Sequence, residues 1–111
     1  MNDLRDKHCK PCEGGVEPLD RVQAEDYLDK LAAGWTIDAA GKVIGREFHF
    51  ADFHHTMAFV NALAWIAHCE DHHPDLEIGY GRCLVRYSTH AIAGLSENDF
   101  ICAAKIDALG A

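Results

Sequence analysis

Apolar residues recur along this chain in two rhythms. Between Asp52 and His73, Phe53, Met57, Val60, Ala64 and Ala67 are spaced by three and four, with Phe59, Leu63 and Ile66 widening the stripe. That spacing predicts a helix capped by Asp52. It closes near His73, because Pro74 disfavours helical geometry in the residue before it. From Arg82 to Thr89 the rhythm is two: Leu84, Arg86 and Ser88 alternate with Cys83, Val85 and Tyr87, as in a half-buried strand. Leu76 to Gly79 is its partner across a turn near Tyr80-Gly81, and Trp35 to Asp38 with Val43 to Phe50 forms a second hairpin across Ala39-Ala40-Gly41. Asp20 caps a short helix through Val22, Ala24, Tyr27, Leu28 and Leu31, stopped by Gly34. Ser96 with Asp99 three residues on has the form of a capping box, opening a last helix that carries Phe100, Ile101, Ala104, Ile106 and Leu109.

The order is therefore α-β-β-α-β-β-α, an α+β fold with a four-stranded antiparallel sheet and helices packed on one face. Residues 1–18 are polar and contain Pro11, Gly14-Gly15 and Pro18, so they read as an extended N-terminal arm ahead of a single domain at 19–111.

With 111 residues, 49% of them apolar, the chain can bury one core and carry one active site. A net charge of -8 repels phosphate backbones and argues against direct nucleic-acid binding. The longest apolar stretch, Thr56 to His68, is broken by Asn61 and falls short of the roughly 20 residues a bilayer needs. No apolar stretch follows the first basic residues, so no signal peptide is read and a cytoplasmic location is expected. Five scattered cysteines, an odd number, suit reduced thiols better than a disulfide scaffold.

Eight histidines change the picture, five of them between His54 and His73. Imidazole is the side chain that exchanges protons near neutrality. Glu70-Asp71-His72-His73-Pro74-Asp75 sits where a helix must stop and a strand begin, and Ser88-Thr89-His90 ends the last strand. The hairpin that leaves at Pro74 returns at His90, which brings His72, His73 and His90 towards one cleft, enough for a proton donor, an acceptor and a hydrogen-bonding anchor. Blander readings stand beside this one. Histidines at a helix end also simply complement the helix dipole, and His54-His55, in the first turn of the central helix, reads as surface or subunit contact. Cys9 and Cys12, with His8, offer zinc ligands, but a second ordered pair is missing. His68 and His72 lie at i and i+4 like a His-Glu-x-x-His pair, with Cys69 in place of the glutamate. These spacings do not predict a bound metal.

The blocks Gly34-Trp35, Phe48-His49-Phe50 with Asp52-Phe53, Asp71-His72-His73-Pro74, Ser88-Thr89-His90 and Ala93-Gly94-Leu95-Ser96 with Asp99, in this order between Leu19 and Leu109, resemble the pterin-4a-carbinolamine dehydratase family. The resemblance implies dehydration of 4a-hydroxytetrahydropterin to quinonoid dihydropterin without a cofactor. By that resemblance His72 and His90 match the proton-transferring pair and His73 a substrate-binding histidine. Asp71, Ser88, Thr89 and Ala91 match pocket positions, and Trp35 is expected as an apolar wall. It also implies a homodimer or homotetramer and a pathway link to an aromatic amino acid hydroxylase. Animal relatives act in addition as dimerisation partners of a transcription factor, so a protein-binding regulatory role is the alternative. Two positions depart from the animal pattern: His68 stands where those members carry Glu, and Ile92 where they carry Cys.

Overall fold

A computed structural model describes residues 4–11 and 16–110. Three helices, α1 (Arg21–Leu28), α2 (Phe53–Glu70) and α3 (Glu97–Asp107), accompany four strands, β1 (Thr36–Ile37), β2 (Ile44–His49), β3 (Asp75–Ile78) and β4 (Arg82–Tyr87). Short 3-10 turns lie at Leu4–Asp6 and His90–Ile92. The expected element order is present. Asp20 caps α1 through the amide of Gln23, and Asp52 caps α2 through the amide of His55, satisfying donors that the first helical turn leaves unpaired. α1 is shorter than its apolar spacing suggests: beyond Leu28 the bonding tightens to Lys30 N–H on Tyr27 O and Leu31 N–H on Leu28 O, so Leu31 packs against the core from a turn.

The sheet has the order β1-β2-β4-β3, antiparallel throughout. Strand alternation divides it sharply. Ile44, Phe48, Cys83, Val85 and Tyr87 are buried under the helices, whereas Glu47, Glu77, Arg82 and Arg86 share the other face and form ion pairs there. Arg86 and Glu77 bond directly across β4 and β3. Phe48 and Phe59 meet with ring centroids 4.6 Å apart, joining the sheet to α2.

The buried line of α2 is Thr56, Phe59, Leu63 and Ala67. It is rotated from the purely apolar stripe, so that Phe53 and Ala64 face outward. Thr56 can occupy the core line because its hydroxyl donates to Asp52 O and Tyr80 O, each at 2.9 Å, leaving no unpaired polar group.

The arm reading needs correction over residues 4–11. Leu4 is in the core cluster, and the turn that carries it lies against α3, because one apolar side chain and several polar anchors outweigh the chain's freedom. Cys12 and Gly14-Gly15, part of the same expectation, lie outside the described residues.

Candidate active site

Helix α2 stops at Glu70 because Asp71 turns into the left-handed region, φ 51° and ψ 46°, and its amide donates back to the last helical turn. His72 N–H then reaches Ala67 O at 3.1 Å, and Pro74 prevents any resumption. His72 is therefore past the helix end. It does not share a helix face with His68, which lies exposed against the Trp65 ring, centroids 5.2 Å apart, so the i, i+4 ligand pair does not form.

The reversal delivers the His72 ring into a polar network anchored on α3. Nε2 of His72 donates to Oδ1 of Asp99 at 2.6 Å. Asp99 is fully buried, and its other oxygen accepts from Thr89 Oγ1 at 2.8 Å and from Ser96 N–H at 3.0 Å, the return bond of the capping box. The Ser96 hydroxyl meets that of Thr89 at 2.7 Å. A buried carboxylate survives only when its acceptor positions are filled in this way. On its other side the His72 ring stacks on Tyr87, centroids 5.2 Å apart and planes 17° apart, while the Tyr87 hydroxyl donates to His72 O at 3.2 Å. Ring orientation is thus set by α3 and β4 together.

Burial by itself disfavours a charged His72, yet the hydrogen bond and negative charge of Asp99 outweigh it and hold the imidazole above its ordinary value. For Tyr87, burial comes first and pushes the phenol far up, so it stays neutral. The site thus pairs an imidazole biased towards its protonated form with a neutral aromatic platform.

The second junction folds just as tightly. After β4, Thr89 and Gly94 pair through two backbone bonds, 2.8 and 3.4 Å, around the His90–Ile92 turn. Gly94 permits this: a Cβ there would lie 2.7 Å from Pro18 Cβ. His90 and Ala91 are left exposed at the mouth of a cleft of about 660 Å3.

Asp71, His72, His73, Ser88, Thr89, His90 and Ala91 all line this cleft, joined by Cys9, Lys10 and Pro11. His73 is exposed beside Asp71, its Nε2 3.9 Å from the carboxylate. The Thr89 side chain is spent on Ser96 and Asp99. Trp35 does not reach the cleft. Its ring is buried edge-on to Phe48, and Nε1 donates to both Asp107 oxygens at 2.9 and 3.0 Å, so it is a core residue and the expected apolar wall is not formed by it. The residue that pattern reading undervalued is Asp99, whose visible signal was only the capping-box spacing. Among the described residues no three His, Cys, Asp or Glu side chains are arranged to hold a metal ion, and Cys12 falls outside them.

Comparison with known proteins assigns the chain to a family. Residues 17–109 match the family described as pterin 4 alpha carbinolamine dehydratase. A relative from Nitrosomonas eutropha is 59% identical over 107 residues, covering 96% of this chain and 93% of its own. One from Legionella pneumophila is 52% identical over 108 residues, covering 97% and 96%. Both bear names that place them among pterin-4-alpha-carbinolamine dehydratases. In three dimensions the chain superposes on a transcriptional coactivator/pterin dehydratase from Brucella melitensis with a TM-score of 0.80 and 30% identity, covering 86% of this chain and all of that one. A pterin dehydratase-like RuBisCO assembly factor of the alpha-carboxysome shares the fold at a TM-score of 0.60 and 23% identity, covering 68% and 88%. The chain belongs to the pterin 4 alpha carbinolamine dehydratase family, whose enzymes are hydro-lyases.

Proposed function

We propose that this chain dehydrates 4a-hydroxytetrahydropterin to quinonoid dihydropterin and water, with His72 as general acid, His90 as general base and His73 as a hydrogen-bonding anchor. The observation that carries the reading is the Asp99–His72 contact at the wall of a cleft lined by all three histidines. Hydroxide leaves carbon poorly. A protonated His72, kept charged by Asp99, gives its proton to the 4a oxygen as the C4a–O bond breaks, and water departs. The N5 proton passes to His90, the electron pair of the N5–H bond forms the new double bond to C4a, and exchange with solvent resets both imidazoles. His90, exposed at the cleft mouth, suits that exchange. Asp71, Ser88 and Ala91 hold the heterocycle.

The test follows disappearance of the carbinolamine absorbance. Wild type accelerates it, and His90→Ala loses about a hundredfold in kcat. Equal rates for the two proteins would remove the base assignment, and no acceleration by wild type would remove the reaction.

Around this activity, the reading places the chain in the cytoplasm, where Cys9, Cys69, Cys83 and Cys102 persist as free thiols, and supplies dihydropterin for recycling beside an aromatic amino acid hydroxylase. No helix among the described residues is long and apolar enough to cross a membrane. A homodimer or homotetramer is proposed from the outer face of α2, where Trp65 is 66% exposed and Phe53 47%. A regulatory protein partner would compete for the same face.

A further inference from the structure

The segment His8–Pro11 lies ahead of the family match at 17–109, yet it is anchored by several hydrogen bonds to α2 and α3. Asn98, buried near the start of α3, receives the amide of Lys10 on Oδ1 at 3.0 Å and donates Nδ2 to Lys10 O at 2.6 Å, copying a backbone pairing. Glu70, in the last turn of α2, is equally committed: Oε1 accepts from Cys9 N–H at 2.7 Å and Oε2 from His8 Nδ1 at 3.0 Å. Its side chain is 5% exposed. The Cys9 thiol rests 3.6 Å from both Asn98 O and Cys102 Sγ.

A buried carboxylate and a buried amide are costly unless something fills their hydrogen-bonding positions, and here the N-terminal segment does so. Burial opposes ionisation of Glu70, but the Cys9 amide, His8 and Lys105 together hold its carboxyl below the usual range, which matches a charged anchor for the segment. Glu70 stands two residues before His72, and Asn98 directly precedes Asp99. The segment is therefore tied to the two helix ends that supply the proton-transfer dyad, and its residues Cys9, Lys10 and Pro11 complete the cleft.

We infer that His8–Pro11 is a wall of the pterin cleft that determines substrate affinity, with Asn98 and Glu70 as the positioning residues that latch it. The inference rests on the dehydratase reading above and adds residues that the family match does not reach. A wall contacts bound substrate and transition state alike, so its loss raises KM more than it lowers kcat.

Two full-length variants test it from opposite sides of the latch. Asn98→Ala removes the buried amide, and Lys10→Pro, at an exposed position, removes the donated N–H together with the Lys10 side chain that lines the cleft. KM is measured in the dehydration assay, and Kd for a stable dihydropterin lacking the 4a hydroxyl is measured by fluorescence quenching. In both variants KM and Kd rise about tenfold while kcat changes less than threefold. Values of KM and Kd within twofold of wild type in both variants overturn the wall, as does a fall in kcat at constant KM, which would mark a merely structural brace. Should Asn98→Ala fail to fold, Lys10→Pro decides alone. The two readings fail separately. A wild type that turns nothing over while the variants weaken dihydropterin binding sinks the reaction and keeps the wall, whereas active variants with unchanged KM keep the reaction and sink the wall.

Discussion

Helix α2 carries the same dipeptide at both of its ends, and the two ends behave as different materials. At the N-terminus His55 meets Asp52 at 2.8 Å with 69% and 36% of the two side chains exposed. Past the C-terminus His72 meets Asp99 at 2.6 Å with 13% and 0% exposed. The first contact is a solvated helix cap, open to water and salt, where ion pairs are worth little. In the second, Tyr87, Thr89 and Ser96 crowd the pair, so the carboxylate acts on the imidazole with less screening. A histidine beside an aspartate is chemistry only where the fold has removed the solvent.

The sharpest way to break this comparison is to delete each histidine in turn. His72→Ala lowers kcat by about 10²- to 10³-fold, the size of a lost general acid, whereas His55→Ala leaves kcat within twofold. Similar losses from both would mean that burial has no part in the chemistry.

Next in size is removal of the carboxylates. Asp99→Ala leaves an uncompensated imidazole and two orphaned donors in the interior and lowers unfolding free energy by about 3 kcal/mol in urea titrations. Asp52→Ala lowers it by the lesser amount of a lost, exposed helix cap. Asp99→Asn, which keeps the shape, separates charge from packing: the alkaline limb of the kcat profile moves to lower pH because the imidazolium has lost its stabilising anion. An unmoved limb would assign that ionisation to another group.

The smallest expected effect is on stability against pH. A folded-state His72 held above its ordinary value of about 6.5 contributes stability that is complete below that value and fades as pH rises through the raised one. Replacing it with Gln flattens the wild-type decline across this window. A decline that persists unchanged would place the titration elsewhere in the molecule.

Local rules explain how much of this was readable in advance. Helix caps at Asp20 and Asp52, the alternation of Cys83, Val85 and Tyr87, the turns at Gly41 and Gly81, and the stop before Pro74 are set by residues a few positions apart, and all appear in the fold. The convergence of His72, His73 and His90 on one cleft followed from hairpin geometry alone. Trp35, expected from the resemblance as an apolar wall, is instead buried against Phe48 and bonded to Asp107, a placement fixed by packing between distant segments. Asp99 was undervalued because one side chain serves two masters, closing the local capping box with one oxygen while the other reaches a histidine 27 residues away.

The amino-acid sequence on its own determined the succession of helices and strands, the α+β class and the histidine-rich junctions, since propensity, periodicity and capping act over a few residues. Only the tertiary structure decided that β2 lies against β4, that Asp99 meets His72 away from bulk solvent, and that residues 9–11 lie along the cleft. Those pairings join positions far apart along the chain, and their strength comes from solvent exclusion, a property that no single segment possesses before the others have packed around it.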